Sequence, residues 1–295
     1  MVIAYWPPWE NVPGGIRMRR LLSGLRGLGW NLSLVTSGSP KSDGLVQEAD
    51  QCLVLPRLFQ AFSPDSAQTG QKTLASASKP ARDTSLRTLR DQLAFSLRRL
   101  PIPRKAGWLA WYPKILAWAR SQQIDVLYSK SQPNSSHILG RLLSRQLDVP
   151  WVAELGDLWS QNPYYQGPRS WARMESVLER WVLKPAKGLV TVSNPMADQL
   201  TSLHGKPTKV VYNCYPQDSA EPPLVDDSYN LELPLKILYA GRVYPKYRMP
   251  DILFEAIQGL LKEGAVDPAE LRLDFLCSNH GWLIRWMQQH YPSLA

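Results

Sequence analysis

The chain has 295 residues, a formal net charge of +9, 44% hydrophobic and 20% charged residues. That composition excludes a wholly disordered chain, and the length predicts about two domains, each able to bury a core. Between Lys79 and Arg120 ten Lys/Arg face only Asp83 and Asp91, so this segment carries +8 and all other residues together +1; charge so localised argues against nucleic-acid binding over a whole surface.

Short apolar runs alternate with helical stretches. Strands are expected at Val2–Trp6, Trp30–Thr36 and Cys52–Leu55, with a helix over Ile16–Leu28 whose apolar face is Ile16, Leu21, Leu22, Leu25 and Leu28 and whose arginines, Arg17 included, lie off it. Further strands are expected at Asp125–Ser129, Trp151–Leu155, Gly188–Val192 and Thr208–Tyr212, with helices near Asn134–Leu147, Arg169–Leu183 and Pro195–Leu203. This alternation predicts an α/β fold, a parallel doubly wound sheet. Met18, Met174 and Met196 fall on helices and are expected to fill the core.

Residues 57–106 break the pattern as a basic, low-complexity insertion. Leu86, Leu89, Leu93, Leu97 and Leu100 make a helical stripe, with Arg87, Arg90, Arg98 and Arg99 largely off it and Trp108 and Trp111 following. That combination fits docking at an anionic membrane surface; a solvated helix with its leucines and tryptophans packed inward is the alternative. From Tyr215 to Pro234 the chain is proline-rich and acidic, a linker. Beyond it come a strand at Lys236–Ala240, a helix at Asp251–Lys262, a strand at Leu271–Leu276 and a helix at Trp282–His290. The expected domains are therefore 1–215, a linker 216–234, and a partial second domain 235–295.

Cys52, Cys214 and Cys277 form no CxxC, so neither a disulfide framework nor a zinc knuckle is indicated and a cytoplasmic setting is expected. The first residues lack the pattern of a signal peptide, and no run reaches the ~18 apolar residues of a membrane span.

Three loops carry chemistry. Gly14-Gly15 at a helix N-terminus lets backbone N–H groups approach an anion, although a plain tight turn uses the same residues. Arg242, Lys246 and Arg248 follow the strand ending at Ala240, where cations grip phosphate or simply face water. Glu154-Leu155-Gly156-Asp157-Leu158-Trp159 ends another strand, offering carboxylates to sugar hydroxyls and an aromatic to a ring, or else a capped turn with Trp159 beneath. There is no HExxH, Asp-x-Asp or GxSxG.

In order along the chain, Pro13–Ile16, Gly29–Thr36, Glu154–Trp159, Val190–Leu200, Val210–Asn213 and Ile237–Pro245 with Leu253–Ile257 together resemble glycosyltransferase family 4, enzymes of the GT-B fold with two Rossmann-like domains. The resemblance implies transfer of a sugar, with retention of configuration, from a nucleotide-diphosphate donor to a glycan or lipid-linked acceptor in assembly of a cell-surface polysaccharide or glycolipid. It implies no cofactor and no obligatory metal; with no nucleic-acid-binding motif no nucleic-acid partner is expected, and the cysteines together with the basic segment point to a cytoplasmic or peripheral membrane location. By the same resemblance Arg242 and Lys246 meet the leaving diphosphate, with Arg248 able to replace Lys246. Gly14 and Gly15 touch donor phosphate or acceptor, Glu154 and Trp159 bind acceptor, and Asp157 is the catalytic candidate that orients the acceptor or handles its proton.

Two departures stand against that pattern. Asn213-Cys214 replaces the family's Asn-Gly, and the family's paired-glutamate motif has no counterpart within residues 1–295. The expectation is a chain truncated within its donor domain, with a non-catalytic remnant that binds acceptor or a partner as the alternative function.

Overall fold

The computed structural model describes residues 1–38, 49–57, 106–164, 169–214, 234–244, 247–277 and 279–294. Lys246 and the basic residues Arg87, Arg90, Arg98 and Arg99 lie outside the described residues. The chain divides into two units, Met1–Gln217 and Asp218–Ala295.

In the first unit the order is β1 (Val2–Ala4), α1 (Pro13–Gly27), β2 (Ser33–Ser37), β3 (Gln51–Leu55), a 3₁₀ turn (Ala106–Trp111), α2 (Tyr112–Arg120), β4 (Leu127–Lys130), α3 (Ser135–Leu147), β5 (Trp151–Glu154), α4 (Arg169–Leu183), β6 (Gly188–Thr191), α5 (Asn194–His204) and β7 (Thr208–Val210). The seven strands form one sheet in the order β3-β2-β1-β4-β5-β6-β7, and every neighbouring pair is parallel. Val2 pairs with Leu34 on one side and Tyr128 on the other, so the first strand of the chain lies inside the sheet. From β1 the chain builds outward through β2 and β3, then returns to lay β4 on the opposite side. The order therefore reverses between β1 and β4.

Apolar residues from both faces of the sheet explain the burial. Val2, Ala4 and Leu34 pack under Met18 and Leu22 of α1. Ile3, Tyr5, Leu127, Trp151 and Ala153 pack on the other face with Leu139 and Leu143 of α3 and Trp108. Trp151 is fully buried, and its indole Nε1 donates to Ser129 Oγ at 2.8 Å. Gly140 permits α3 to approach so closely, because a Cβ there would lie 2.6 Å from Trp151 Nε1. Asp148 (φ 52°) and Gly205 (φ 59°) end α3 and α5 in the left-handed conformation that satisfies the last carbonyls.

The α/β class and the parallel sheet agree with the sequence expectation. Three local expectations are corrected. The first helix starts at Pro13 instead of Ile16, since the fixed φ of proline suits a first helical position and no N–H is lost there. The second strand starts at Ser33, and Trp30 is half exposed. Met174 is 55% exposed on α4, so it fills no core.

The second unit contains β8 (Leu235–Ala240), α6 (Asp251–Lys262), β9 (Leu271–Leu276) and α7 (His280–His290), with 3₁₀ turns at Pro268–Glu270 and Pro292–Leu294. β8 and β9 pair in parallel from Leu235↔Leu271 to Ala240↔Leu276. Phe254 is fully buried, with Phe275, Trp286 and Tyr291 around its ring.

Candidate functional site

In an open parallel sheet, ligands bind outside the carboxyl ends of the strands where the strand order reverses. Here that point lies between β1 and β4, and a shallow pocket occurs there, lined by Ala4, Tyr5, Trp6, Gly14, Lys130, Ser131 and Gln132. Gly14 and Gly15 lie in the first turn of α1, where backbone N–H groups have no intrahelical partner and the helix dipole is positive. That first turn contains no acidic residue and no side chain caps it.

The glycines also serve the loop itself. A Cβ on Gly14 would lie 2.7 Å from Trp6 Cδ1, and one on Gly15 would lie 2.6 Å from the Pro7 carbonyl oxygen and collide with that of Glu10. The tight turn and the anion-facing helix end are thus one arrangement. Arg57 fastens this loop from β3: its guanidinium sits 4.8 Å from the Trp6 ring centroid, donates to Ser37 O at 3.2 Å and pairs with Glu10 at 2.5 Å.

A buried ionic group adjoins the pocket through Lys130. Arg17 of α1 reaches Glu154 at the end of β5, Nε to Oε1 at 2.5 Å, while Tyr128 Oη donates to Glu154 Oε2 at 2.6 Å. Lys130 Nζ donates to Ser131 O at 3.0 Å and stands 4.0 Å from Glu154 Oε1. Arg17 also donates to Val211 O, Tyr212 O and Asn213 Oδ1, holding the chain where it leaves β7. Arg17, Lys130 and Glu154 together contain one more cation than anion. Burial lowers the Lys130 pKa against the pull of Glu154, and burial with Glu154 nearby pushes the Tyr128 pKa well up, keeping the phenol a neutral donor.

Glu154 is therefore not open to an acceptor. It is fully buried, and its two oxygens are taken by Arg17 and Tyr128, which corrects the sequence expectation. Trp159 is 4% exposed and packs near His137, ring centroids 6.4 Å apart, so it offers no stacking face. Trp108 is 3% exposed against Tyr5, ring centroids 5.1 Å apart, and belongs to the core and not to a membrane-facing surface. Trp111 is half-buried and donates to Pro56 O at 3.1 Å. Asp157 is exposed, and Gln132 Nε2 approaches its Oδ2 at 3.4 Å, which puts this carboxylate beside the pocket. Gly156 N donates to Ser131 Oγ at 3.3 Å and ties the two loops together.

In the second unit, the segment after β8 turns back on itself. Tyr244 and Arg248 form an antiparallel bridge, Tyr244 N to Arg248 O at 3.1 Å and Arg248 N to Tyr244 O at 2.9 Å. Arg242 and Arg248 are both exposed and both lie over the Tyr244 ring, at 5.7 and 5.9 Å from its centroid. Val243 is buried, with Asn279 Nδ2 donating to its carbonyl at 2.9 Å. The two guanidinium groups are thus brought to one ring.

Sequence reasoning missed Arg17, Tyr128, Lys130 and Arg57. Lys130 had a usable signal, a charged residue closing a buried apolar strand at its carboxyl end. Arg17 had none, because its partner lies 137 residues away.

The sequence profile of the glycosyl transferase 4-like domain matches residues 14–216. No curated protein matches the chain in sequence. Among solved structures, Anabaena Alr3699/HepE in complex with UDP is similar with a TM-score of 0.51 and 13% identity, covering 99% of this chain and 65% of that one. The same Anabaena protein with UDP and glucose gives 0.48 and 14%, over 100% and 66%, and Arabidopsis thaliana UGT89C1 complexed with UDP-L-rhamnose gives 0.44 and 14%, over 93% and 68%. The chain thus spans 65–66% of the length of the Anabaena structures.

Proposed function

From the premise that the chain belongs to the glycosyl transferase 4-like domain family and has an α/β fold of the GT-B type, we propose that it moves a sugar, with retention, from a nucleotide-diphosphate donor to a cell-surface polysaccharide or glycolipid acceptor. What supports the proposal is the family match over residues 14–216, together with the α1 N-terminus, Lys130 and the exposed carboxylate of Asp157 gathered near the strand-order reversal.

Each residue has a physical task. The N–H groups of Gly14 and Gly15, with Lys130, attract an anionic group of a substrate into the pocket. Asp157 accepts a hydrogen bond from the acceptor hydroxyl and fixes its direction. In the second unit Arg242 and Arg248, with Lys246, meet the negative charge that grows on the leaving diphosphate. No metal or cofactor takes part in the proposed step. Arg17 and Glu154 do no chemistry; they pair beside Lys130, which lines the pocket.

The UDP present in the Anabaena structure makes UDP-sugars the first donors to test. Incubation with a panel of nucleotide sugars and candidate lipid-linked acceptors is expected to release nucleoside diphosphate and a lengthened acceptor. A chain that binds no nucleotide sugar and no acceptor overturns the proposal. Binding of acceptor without turnover identifies the alternative, a binding protein that does not transfer.

A further inference from the structure

Three strand ends converge on one guanidinium. Arg57 follows β3, yet its side chain lies against the residues leaving β1 and against the end of β2. Its Cζ is 5.3 Å from the Tyr5 ring centroid and 4.8 Å from that of Trp6, and these two rings meet edge to face at 86°. The guanidinium therefore sits in the corner of two nearly perpendicular rings. Nη2 reaches Glu10 Oε1 at 2.5 Å and donates to Ser37 O at 3.2 Å, while Ser37 Oγ donates in turn to Tyr5 O at 3.0 Å.

Gly38, just past β2, makes room for this pair. Its φ of 147° favours glycine, and a Cβ there would lie 3.3 Å from Glu10 Oε1 and 3.5 Å from Arg57 Nη2. What Arg57 holds borders the pocket, although Arg57 does not itself line it. Tyr5 and Trp6 are lining residues, and the Trp6 ring is the surface against which Gly14 closes. The Glu10 carbonyl is the one that a Cβ on Gly15 would strike. Fixing the Trp6 ring and the Glu10 side chain thus fixes both contacts of the first turn of α1.

We propose that Arg57 is a positioning residue of this pocket: it orients the Gly14 and Gly15 N–H groups through Trp6 and Glu10 and so sets the affinity for an anionic group. The proposal rests on the anion-facing reading of the α1 N-terminus given above and adds the residue that aims it. Lysine does not replace arginine in this role. An ammonium keeps the charge but lacks the planar fork that meets Glu10 and Ser37 while lying over Trp6. Charge and geometry are therefore separable by one substitution.

The test compares the full chain with Arg57→Lys, Arg57→Met and Glu10→Gln. The readouts are titration calorimetry with inorganic pyrophosphate and amide hydrogen exchange over residues 6–16. Arg57→Lys and Arg57→Met are each expected to weaken pyrophosphate binding about tenfold, the loss of one well-aimed charge-assisted hydrogen bond, and to speed exchange in that loop. Glu10→Gln leaves the ring contacts of Arg57 in place and is expected to weaken binding less. Thermal melts identify any variant that does not fold, and Glu10→Gln, on a partly exposed side chain, keeps the test open should Arg57→Met be one. Arg57→Lys that binds pyrophosphate as the wild type does overturns the proposal, because charge alone then suffices. Faster exchange with unchanged affinity also overturns it, since Arg57 would then serve the fold alone. A wild-type chain without affinity for pyrophosphate overturns instead the anion-facing reading, and the exchange data still decide whether Arg57 holds the loop.

Discussion

Arg17 and Glu154 meet at 2.5 Å across 137 residues of sequence, joining the first turns of α1 to the end of β5. Glu154 is the anion that allows two cations, Arg17 and Lys130, to be buried together. Removing one partner of a buried pair leaves the other charge uncompensated, which costs more than the pair itself contributes.

Glu154→Ala is accordingly expected to destabilise the first unit by about 3–5 kcal/mol, the range for breaking a buried pair. Arg17→Met is expected to cost less, since Lys130 and Tyr128 remain beside the carboxylate. Urea melts of both variants check the order. An Arg17→Met variant less stable than Glu154→Ala contradicts the account.

Lys130→Met separates binding from stability. The lysine is 7% exposed and its ammonium is desolvated, and Glu154 keeps Arg17 and Tyr128 as partners without it, so an apolar replacement of similar length leaves the fold close to its original stability. A charge-assisted contact to an anion contributes about 1.5–3 kcal/mol, so affinity for the anionic substrate is expected to fall roughly 10- to 100-fold. Titration calorimetry and a thermal melt on the same sample give both quantities.

Asp157→Asn keeps the shape of an exposed side chain and removes its charge. Transfer is expected to drop on the order of 10²–10⁴-fold, with donor affinity unchanged, as loss of a positioned proton acceptor does. The measurement is kcat against donor Kd. A parallel fall in both places Asp157 with donor binding instead.

His137 makes the first unit acid-sensitive. It is fully buried beside Trp151 and Trp159, its Nδ1 meets Ser129 Oγ at 2.8 Å, and burial with Lys130 nearby lowers its pKa to about 3 from 6.5. Between those values the unfolded chain binds a proton that the folded one does not. Stability is therefore full above pH 6.5 and falls as pH drops toward 3, at a slope approaching about 1.4 kcal/mol per pH unit. His137→Gln, which keeps a hydrogen-bonding side chain without the titration, is expected to flatten the slope by one proton in urea melts run across that range.

The sheet was readable because buried parallel strands are continuous apolar runs, and Trp151–Glu154 and Gly188–Thr191 stand out against polar surroundings. The loops at the strand ends were readable for the same reason, as they begin where those runs stop. What a residue does there was not readable. Glu154 and Asp157 are three positions apart in one motif, yet one is sealed beneath two cations and the other is open. That difference is decided by Arg17 and Lys130, which arrive from α1 and β4. Trp159 and Trp108 were open to the same ambiguity, since an indole suits a core as well as a binding face.

The position of β1 has a consequence for synthesis. β1 precedes the other described strands along the chain yet is an inner strand, and its second neighbour is Leu127–Lys130. At about 5–20 residues per second, the stretch from Leu55 to Leu127 takes the ribosome roughly 4–14 s. Through that interval β1, β2 and β3 can pair, but one edge of β1 presents bare N–H and C=O groups to every other nascent chain in reach. Ribosome-arrested chains ending before Leu127 are expected to be cut by protease within β1, and chains extending well beyond Lys130 to resist. The emergence of four residues, Leu127 to Lys130, closes that edge of β1, and β4 in turn waits for Trp151–Glu154.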